Sequence, residues 1–341
     1  MNKTLLVDGD AVLKLGFFGL KNFQDNQNNL GAVFYFLNTL RKSIDQEGYT
    51  KIVVTWDGKN NCSTRRKIYP EYKSNRREKR LTEEKEESLR IQKTKVQQYL
   101  EEIFIRQCEF ENYEADDCIA FYCLSNEKEE ITILSNDRDL TQLVSDNVNL
   151  KFLNNSQIIK KGDKIKFEKH MVPVENIKVI KIICGDSSDN ISGIKGVGIK
   201  TVINTVPEIL EKNINLEYFL YMCRDKFLKG ESNFRVNNIV KGLTKEGELG
   251  RDFFKRNKEL VDLTKSILPK DSKDNIKELI KENMDPDGRS YKNLLRMMMN
   301  DGLFDFIGNS DESFINFTKP FLTLVRVEKN KFKKVLENGK I

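Results

Sequence analysis

The chain is 341 residues long, 38% hydrophobic and 32% charged, with 58 Lys and Arg against 52 Asp and Glu and a formal net charge of +6. A mean hydropathy of −0.55 with no long apolar run excludes a membrane-spanning helix, and the opening Met1-Asn-Lys-Thr-Leu-Leu-Val-Asp8 is too short and acidic for a signal peptide, so a soluble cytoplasmic protein is expected. A single histidine, His170, and six cysteines without a C-x-x-C pair exclude HExxH, multi-histidine and zinc-ribbon sites, leaving any chemistry to carboxylates, Lys, Arg and a metal.

From the N-terminus the chain alternates as an α/β domain does. Residues 4–7 and 51–55 are short runs rich in β-branched residues, each leading to an aspartate, Asp8 and Asp57, and both read as buried parallel strands. Between them lie a polar loop at 24–29 and a helix whose apolar face is Val33, Leu37, Leu40 and Ile44. Further helices are expected over 83–102 and 114–124, an apolar run at 104–108, and strands at 131–134 and 148–153. After about Pro173, helical patterns separated by glycine turns take over, near 174–184, 199–204, 216–227, 248–261, 273–283 and 291–300. The stretch from Pro320 reads as a basic hairpin or tail. The expected division is therefore 1–173, 174–319 and 320–341.

Acidic residues collect where these elements end. Asp8 and Asp57 close the first two strands, Asp137 and Asp139 follow the next, and ligands bind at that edge of an open parallel sheet. Glu114, Asp116 and Asp117 open a helix, while Asp186 and Asp189 close one, at i and i+3 on a helical face. Taken singly, each is as well explained by capping or by a solvated charge. As a set they repel one another unless a cation lies between them. Oxygen donors without His or Cys select hard divalent ions, Mg²⁺ or Mn²⁺, and two such ions roughly 4 Å apart serve in-line displacement at phosphorus. Calcium storage is the bland alternative, but the EF-hand spacing is missing.

The segment 65–80 holds eight cations and two acids, which equals the whole net charge. It has almost no aliphatic residues and is expected outside the core, as a solvated linker or as a basic arm in which Tyr69 and Tyr72 alternate with cations. Further on, Ile191-Ser-Gly193-Ile-Lys195-Gly196-Val197-Gly198-Ile-Lys200-Thr201 permits tight turns and close approach to a phosphate backbone.

Val7-Asp8-Gly9, Asp57-Gly58, Arg65 with Pro70-Glu-Tyr72-Lys73-Ser-Asn-Arg76, Glu114-Ala-Asp116-Asp117, Ser135-x-Asp137-x-Asp139, Gly185-Asp186-x-x-Asp189-Asn and the glycine hairpin occur in one order. That order resembles the 5′-nuclease (flap endonuclease) superfamily, most of all its phage ribonuclease H (5′–3′ exonuclease) branch, over about residues 3–204. The resemblance implies a PIN-like parallel-sheet α/β nuclease domain with a helical arch at about 60–100, then a mostly helical domain with a helix-three-turn-helix (helix-hairpin-helix) motif. It implies that Asp8, Asp57 and Asp116 hold one Mg²⁺ and Asp137, Asp139, Asp186 and Asp189 a second, with Glu114 and Asp117 bridging or just outside, and with Mn²⁺ able to substitute. Lys73 would stabilise phosphate charge, Tyr72 would stack on a displaced base, and Arg65 and Arg76 would hold the scissile phosphate. Ile191, Gly193 and Val197 would bind K⁺ through carbonyls. Arg66, Lys67, Arg77, Lys79, Arg80, Lys195, Gly196, Gly198 and Lys200 would contact nucleic acid.

The activity so implied is cleavage of 5′ flaps, nicked duplexes and RNA/DNA hybrids to 5′-phosphate and 3′-hydroxyl, in RNA primer removal during phage replication. A monomer is expected, with a single-strand-binding protein or sliding clamp as partner. Asn136 and Arg138 depart from the family pattern, standing where small spacer residues are common. A duplex-binding protein without catalysis and a carboxylate 3′-exonuclease are the alternatives.

Overall fold

Apolar residues on a strand face alternate sides, and the two strand faces of this chain receive different covers. In a computed structural model, which describes residues 3–20, 30–49, 51–79, 81–247, 249–250, 252–281 and 287–337, the first half folds as β1 (Lys3–Asp8), α1 (Gly9–Gly19), α2 (Gly31–Glu47), β2 (Lys51–Trp56), α3 (Ser63–Ile68), α4 (Glu83–Glu102), β3 (Arg106–Glu109), α5 (Ala115–Ser125), β4 (Glu130–Ser135) and β5 (Val148–Phe152). Three short strands follow, β6 (Ile158–Ile159), β7 (Lys164–Phe167) and β8 (His170–Pro173). The second half is helical: α6 (Ile177–Cys184), α7 (Ile199–Thr205), α8 (Leu216–Leu228), α9 (Phe234–Lys241), α10 (Asp252–Val261), α11 (Lys270–Lys281), α12 (Tyr291–Asn300), α13 (Leu303–Phe306) and α14 (Asp311–Glu337). The polar loop expected at 24–29, the start of the helix expected from 248, and Arg80 lie outside the described residues.

The sheet runs β3-β2-β1-β4-β5-β6, with the first five strands parallel and β6 antiparallel; β7 and β8 form a separate hairpin. Leu5, Val7, Ile52 and Val54 face a layer built from α1, α2 and α4. Leu6, Val53, Ile131 and Ile133 face the opposite way, into a core shared with α5, α6, α8 and α10. Register sets Asp8 beside Thr55 and Val7 beside Leu134, so Asp8, Asp57 and Ser135 arrive together at the carboxyl edge of the central strands.

Three expectations are corrected. The stretch from Pro320 is neither hairpin nor tail: α14 carries Pro320 inside it and buries Phe314, Phe317, Phe321, Leu324 and Val325 in the α1–α2–α4 layer. Those positions recur at helical spacing, which outweighs the β-branched look of Phe321-Leu-Thr-Leu-Val. Arg106 pairs with Glu328 in the same layer, with both side chains buried. Second, α6 ends at Cys184, so Asp186 and Asp189 stand on the following turn and share no helical face. Gly185, at φ 79°, makes the exit possible: a Cβ there would lie 2.4 Å from the Ile191 carbonyl oxygen. Third, the basic segment enters the core. Arg65, Tyr72 and Lys73 are all buried.

Candidate active site

Asp8 ends β1 and caps α1, accepting the Ala11 N–H at 3.1 Å and the Ser135 hydroxyl at 2.7 Å. Asp57 follows β2; its Oδ1 accepts the Ala115 N–H at 3.0 Å, and its own N–H donates to Asp10 Oδ2 at 2.7 Å. Asp10 is a neighbour that sequence reading missed, although the spacing Asp8-Gly9-Asp10 carried the signal. Gly9 between them lies against Trp56, where a Cβ would come within 2.5 Å of the ring. Burial, aided by Asp57 and Asp10 and opposed by the Ser135 hydroxyl, pushes the Asp8 carboxyl up to about 7. Burial also opposes charge on Asp57, but Lys14, the Ala115 N–H and Lys73 outweigh it and hold Asp57 below the usual carboxylate range.

The second group is built on the N-terminus of α5. Glu114 and Asp117 form a reciprocal capping box, as the capping reading anticipates. Arg65 reaches them from α3: Nη1 donates to Glu114 at 2.8 Å and to Asp117 at 2.9 Å, Nη2 to Asp117 at 2.8 Å, and Asp116 lies 3.6 Å away. Lys73 bonds Glu114 and stands 3.7 Å from Asp189, while its backbone N–H donates to the Asp189 carbonyl at 2.8 Å. The Tyr72 hydroxyl donates to Glu114 at 2.8 Å and lies 3.3 Å from Asp189 Oδ2. Its ring is 2% exposed, with Lys73 and Arg65 against it at 5.0 and 5.8 Å from the centroid. The Tyr72 ring is enclosed, and Arg65, 3% exposed, faces three carboxylates. Arg76 is accessible, with its side chain 58% exposed and 2.8 Å from Asp189. Asp116 keeps a buried Oδ1 with no hydrogen-bond partner, and burial lifts its carboxyl far above the usual range against the pull of Arg65.

Asp139, Asp186 and Asp189 form the third group, each offering a carboxylate oxygen within 4.8 Å of the others. Asp137 is exposed at the strand exit and caps the next turn through the Asp139 N–H at 2.8 Å. Burial and Asp137, against Lys181, raise Asp139 to about 6. Lys181 was also missed; it bonds Asp139, and it bonds Asp186 at 2.6 Å. Its position five residues before Asp186 on apolar α6 gave little sign of this. Tyr72 and Lys73, touching both Glu114 and Asp189, join the second group to the third. Oxygen-only donors, a buried Asp116 oxygen without a hydrogen-bond partner and acids lifted by burial, with neighbouring acids adding to it, fit a hard divalent cation.

A cavity of about 720 Å³ runs from Asp137 and Asp186 to Val197, Gly198 and Ile199 of the hairpin. Lys195, Gly196, Gly198 and Lys200 of the hairpin are exposed, and so is Lys67 on α3. Arg66 is half-buried and donates to the Tyr72 carbonyl at 3.0 Å. The Ile191 carbonyl accepts the Asp186 N–H at 2.9 Å and the Gly193 carbonyl the Lys245 N–H at 3.2 Å, while Val197 is buried beside them. The side chains of Arg77 and Lys79 lie outside the described residues.

Residues 3–172 match the family described as 5′-3′ exonuclease, N-terminal resolvase-like domain. The 5′-3′ exonuclease of Halalkalibacterium halodurans is 32% identical over 271 residues, 72% of this chain and 84% of that one. The 5′-3′ exonuclease of Buchnera aphidicola subsp. Schizaphis graminum is 32% identical over 202 residues, 58% of this chain and 68% of its own. Among solved structures, T5 5′-exonuclease with bound divalent metal ions (zinc) covers 95% of this chain and 99% of its own at a TM-score of 0.59 and 20% identity, a likeness of fold that makes the parallel-sheet half PIN-like. With its acids gathered at the carboxyl edge of that sheet, the chain belongs to the 5′-3′ exonuclease family of 5′-nucleases.

Proposed function

We propose that the protein is a two-metal, Mg²⁺-dependent nuclease that cuts 5′ flaps, nicked duplexes and RNA/DNA hybrids, leaving 5′-phosphate and 3′-hydroxyl. One observation carries this reading: ten carboxylates from five separate chain segments meet at one sheet edge, and Asp116 keeps a buried oxygen without a hydrogen-bond partner. Asp8, Asp57 and Asp116 would hold one ion, and Asp137, Asp139, Asp186 and Asp189 the other. Divalent ions held there would supply Lewis acidity at the phosphate and lower the pKa of bound water.

The chain's own residues do the rest. Arg65 fixes Glu114 and Asp117 in place, so the acid groups keep their geometry when cations come and go. Lys73 presents an ammonium between Glu114 and Asp189, and Arg76 an accessible guanidinium at the rim, both suited to phosphate charge. Lys195, Lys200 and the turns at Gly196 and Gly198 suit sequence-independent contact with a duplex backbone, with K⁺ on the Ile191, Gly193 and Val197 carbonyls as a further element of the same reading. RNA primer removal by a monomer during phage replication, alongside a single-strand-binding protein or sliding clamp in the host cytoplasm, completes it.

The test uses purified protein with a 5′-flap, a nicked duplex and an RNA/DNA hybrid, each labelled in turn at either end, in Mg²⁺. Cleavage from the 5′ side is expected, abolished in Asp137→Asn/Asp139→Asn with binding retained. Bound DNA that stays intact in every case would refute the enzyme, and release from the 3′ end would refute its polarity.

A further inference from the structure

Beyond the acid pocket, toward β5 and the β7–β8 hairpin, lies a second groove of about 320 Å³ that shares Asn136 and Arg138 with the larger cavity. The two walls differ in chemistry. The first cavity is lined by Asp137, Asp186 and Lys181, whereas among the described residues no carboxylate lines the second. Arg138, Lys164 and Lys166 supply cations there, Asn154 and Gln157 amides, and Phe152 a ring. The acid that faces this set is Glu211, which pairs with Lys164 at 2.7 Å.

Arg138 sits in sequence between Asp137 and Asp139, yet its exposed guanidinium forms neither an ion pair nor a hydrogen bond among the described residues. Lys166 is exposed and equally unpaired. A cation that leaves adjacent acids unused, at the junction of an acidic cavity and a basic groove, is placed for an anion that passes from one to the other. Asn136 ties the junction together, its Oδ1 accepting the Asn154 N–H at 3.1 Å.

Cations for phosphates, amides for base edges and a ring for stacking are the components of a single-strand track. The size agrees, since about 320 Å³ lies at the low end of the roughly 300–1,000 Å³ that holds one small ligand, which suits a nucleotide step and not a duplex. We propose that this groove binds an unpaired stretch of DNA adjoining the phosphodiester in the acid pocket, with Arg138 on the phosphate at the junction and Lys166 on the next. This rests on the nuclease reading.

The test measures binding by fluorescence anisotropy in EDTA, where no cleavage occurs, using a blunt duplex and duplexes with a 5′ or a 3′ single-stranded overhang. Arg138→Ala/Lys166→Ala is compared with wild type and with Lys195→Ala/Lys200→Ala, after circular dichroism and melting confirm folding. An overhang strengthens wild-type binding, and the groove variant loses about tenfold of that gain while keeping its blunt-duplex affinity. Its salt slope on the overhang duplex falls by about 0.7 per lost phosphate contact. The hairpin variant instead weakens binding to all three duplexes. The proposal is overturned if both overhang gains survive in the groove variant, or if neither overhang strengthens wild-type binding. Failure of the nuclease reading looks different, because wild type then cuts none of the flap, nicked or hybrid substrates.

Discussion

At Asp8 the burial that places a carboxyl beneath the cleft also works against its charge, and the same holds at Asp139; they rise to about 7 and about 6. Between the ordinary value of 3.8 and those values, the folded protein binds more protons than the unfolded chain. Stability of the metal-free protein is therefore highest at the acidic end of that window and is lost as pH rises through it, by at most about 1.4 kcal/mol for each unit by which a carboxyl is raised. Asp57, Glu114 and Asp186 are held below their usual values and lose their contribution only at lower pH. Melting curves in EDTA should show a higher Tm at pH 5.5 than at 7.5, with the difference reduced in Asp8→Asn. An unchanged pH slope in that variant would show that Asp8 is ionised in the folded protein. The nine acids were legible because strand and helix ends are predictable from periodicity, and the ends carry them. Asp10 was hidden because an acid in the first turn of a helix is ordinary. Lys181 was hidden because its partners, Asp139 and Asp186, meet it only once the chain has folded.

On the scale of one element, the basic segment shows how composition misleads. A stretch crowded with Arg and Lys reads as solvent-facing, since a cation is costly to bury unless partnered. Its partners lie 49 and 52 residues away on Glu114 and Asp117, and 116 away on Asp189, so no window of local sequence contains them. The consequence is a sharp contrast between arginines in the same segment. Arg65→Ala leaves buried carboxylates without their cation and should cost about 3–5 kcal/mol in urea unfolding. Arg76→Ala removes a largely exposed partner of Asp189 and should cost under about 1 kcal/mol. Equal costs would mean that Arg65 is not the brace of the acid group. Helix α4 came out at 83–102 as expected, because a 20-residue amphipathic pattern with acids in its first turn is a strong signal. The residues after Pro320 did not: the stretch read as a basic hairpin or tail, while the repeating Phe314, Phe317, Phe321 and Leu324 follow a helix.

Across the whole molecule, the net charge of +6 describes no single surface. An acid-rich cleft sits between exposed hairpin lysines and a basic groove, a pattern that draws polyanions to its rims and cations to its centre. The two cores are divided by the sheet, and the one beneath α1, α2 and α4 is completed by α12 and α14. Phe321, fully buried there, should cost about 3–5 kcal/mol when replaced by Ala, and the loss should appear in melts with EDTA and with Mg²⁺ alike, since Phe321 contacts no acid of the cleft. A loss seen in only one condition would tie α14 to the cleft. This closure has a consequence for how the protein is made. Leu5 and Val7 precede Phe317 and Phe321 of the same layer by more than 300 residues. At about 5–20 residues per second, that interval is on the order of tens of seconds. Over that interval α1, α2 and α4 already cover the sheet, and it is the outer apolar side of α2, with Phe34 on it, that stays open until Phe317 of α14 is made.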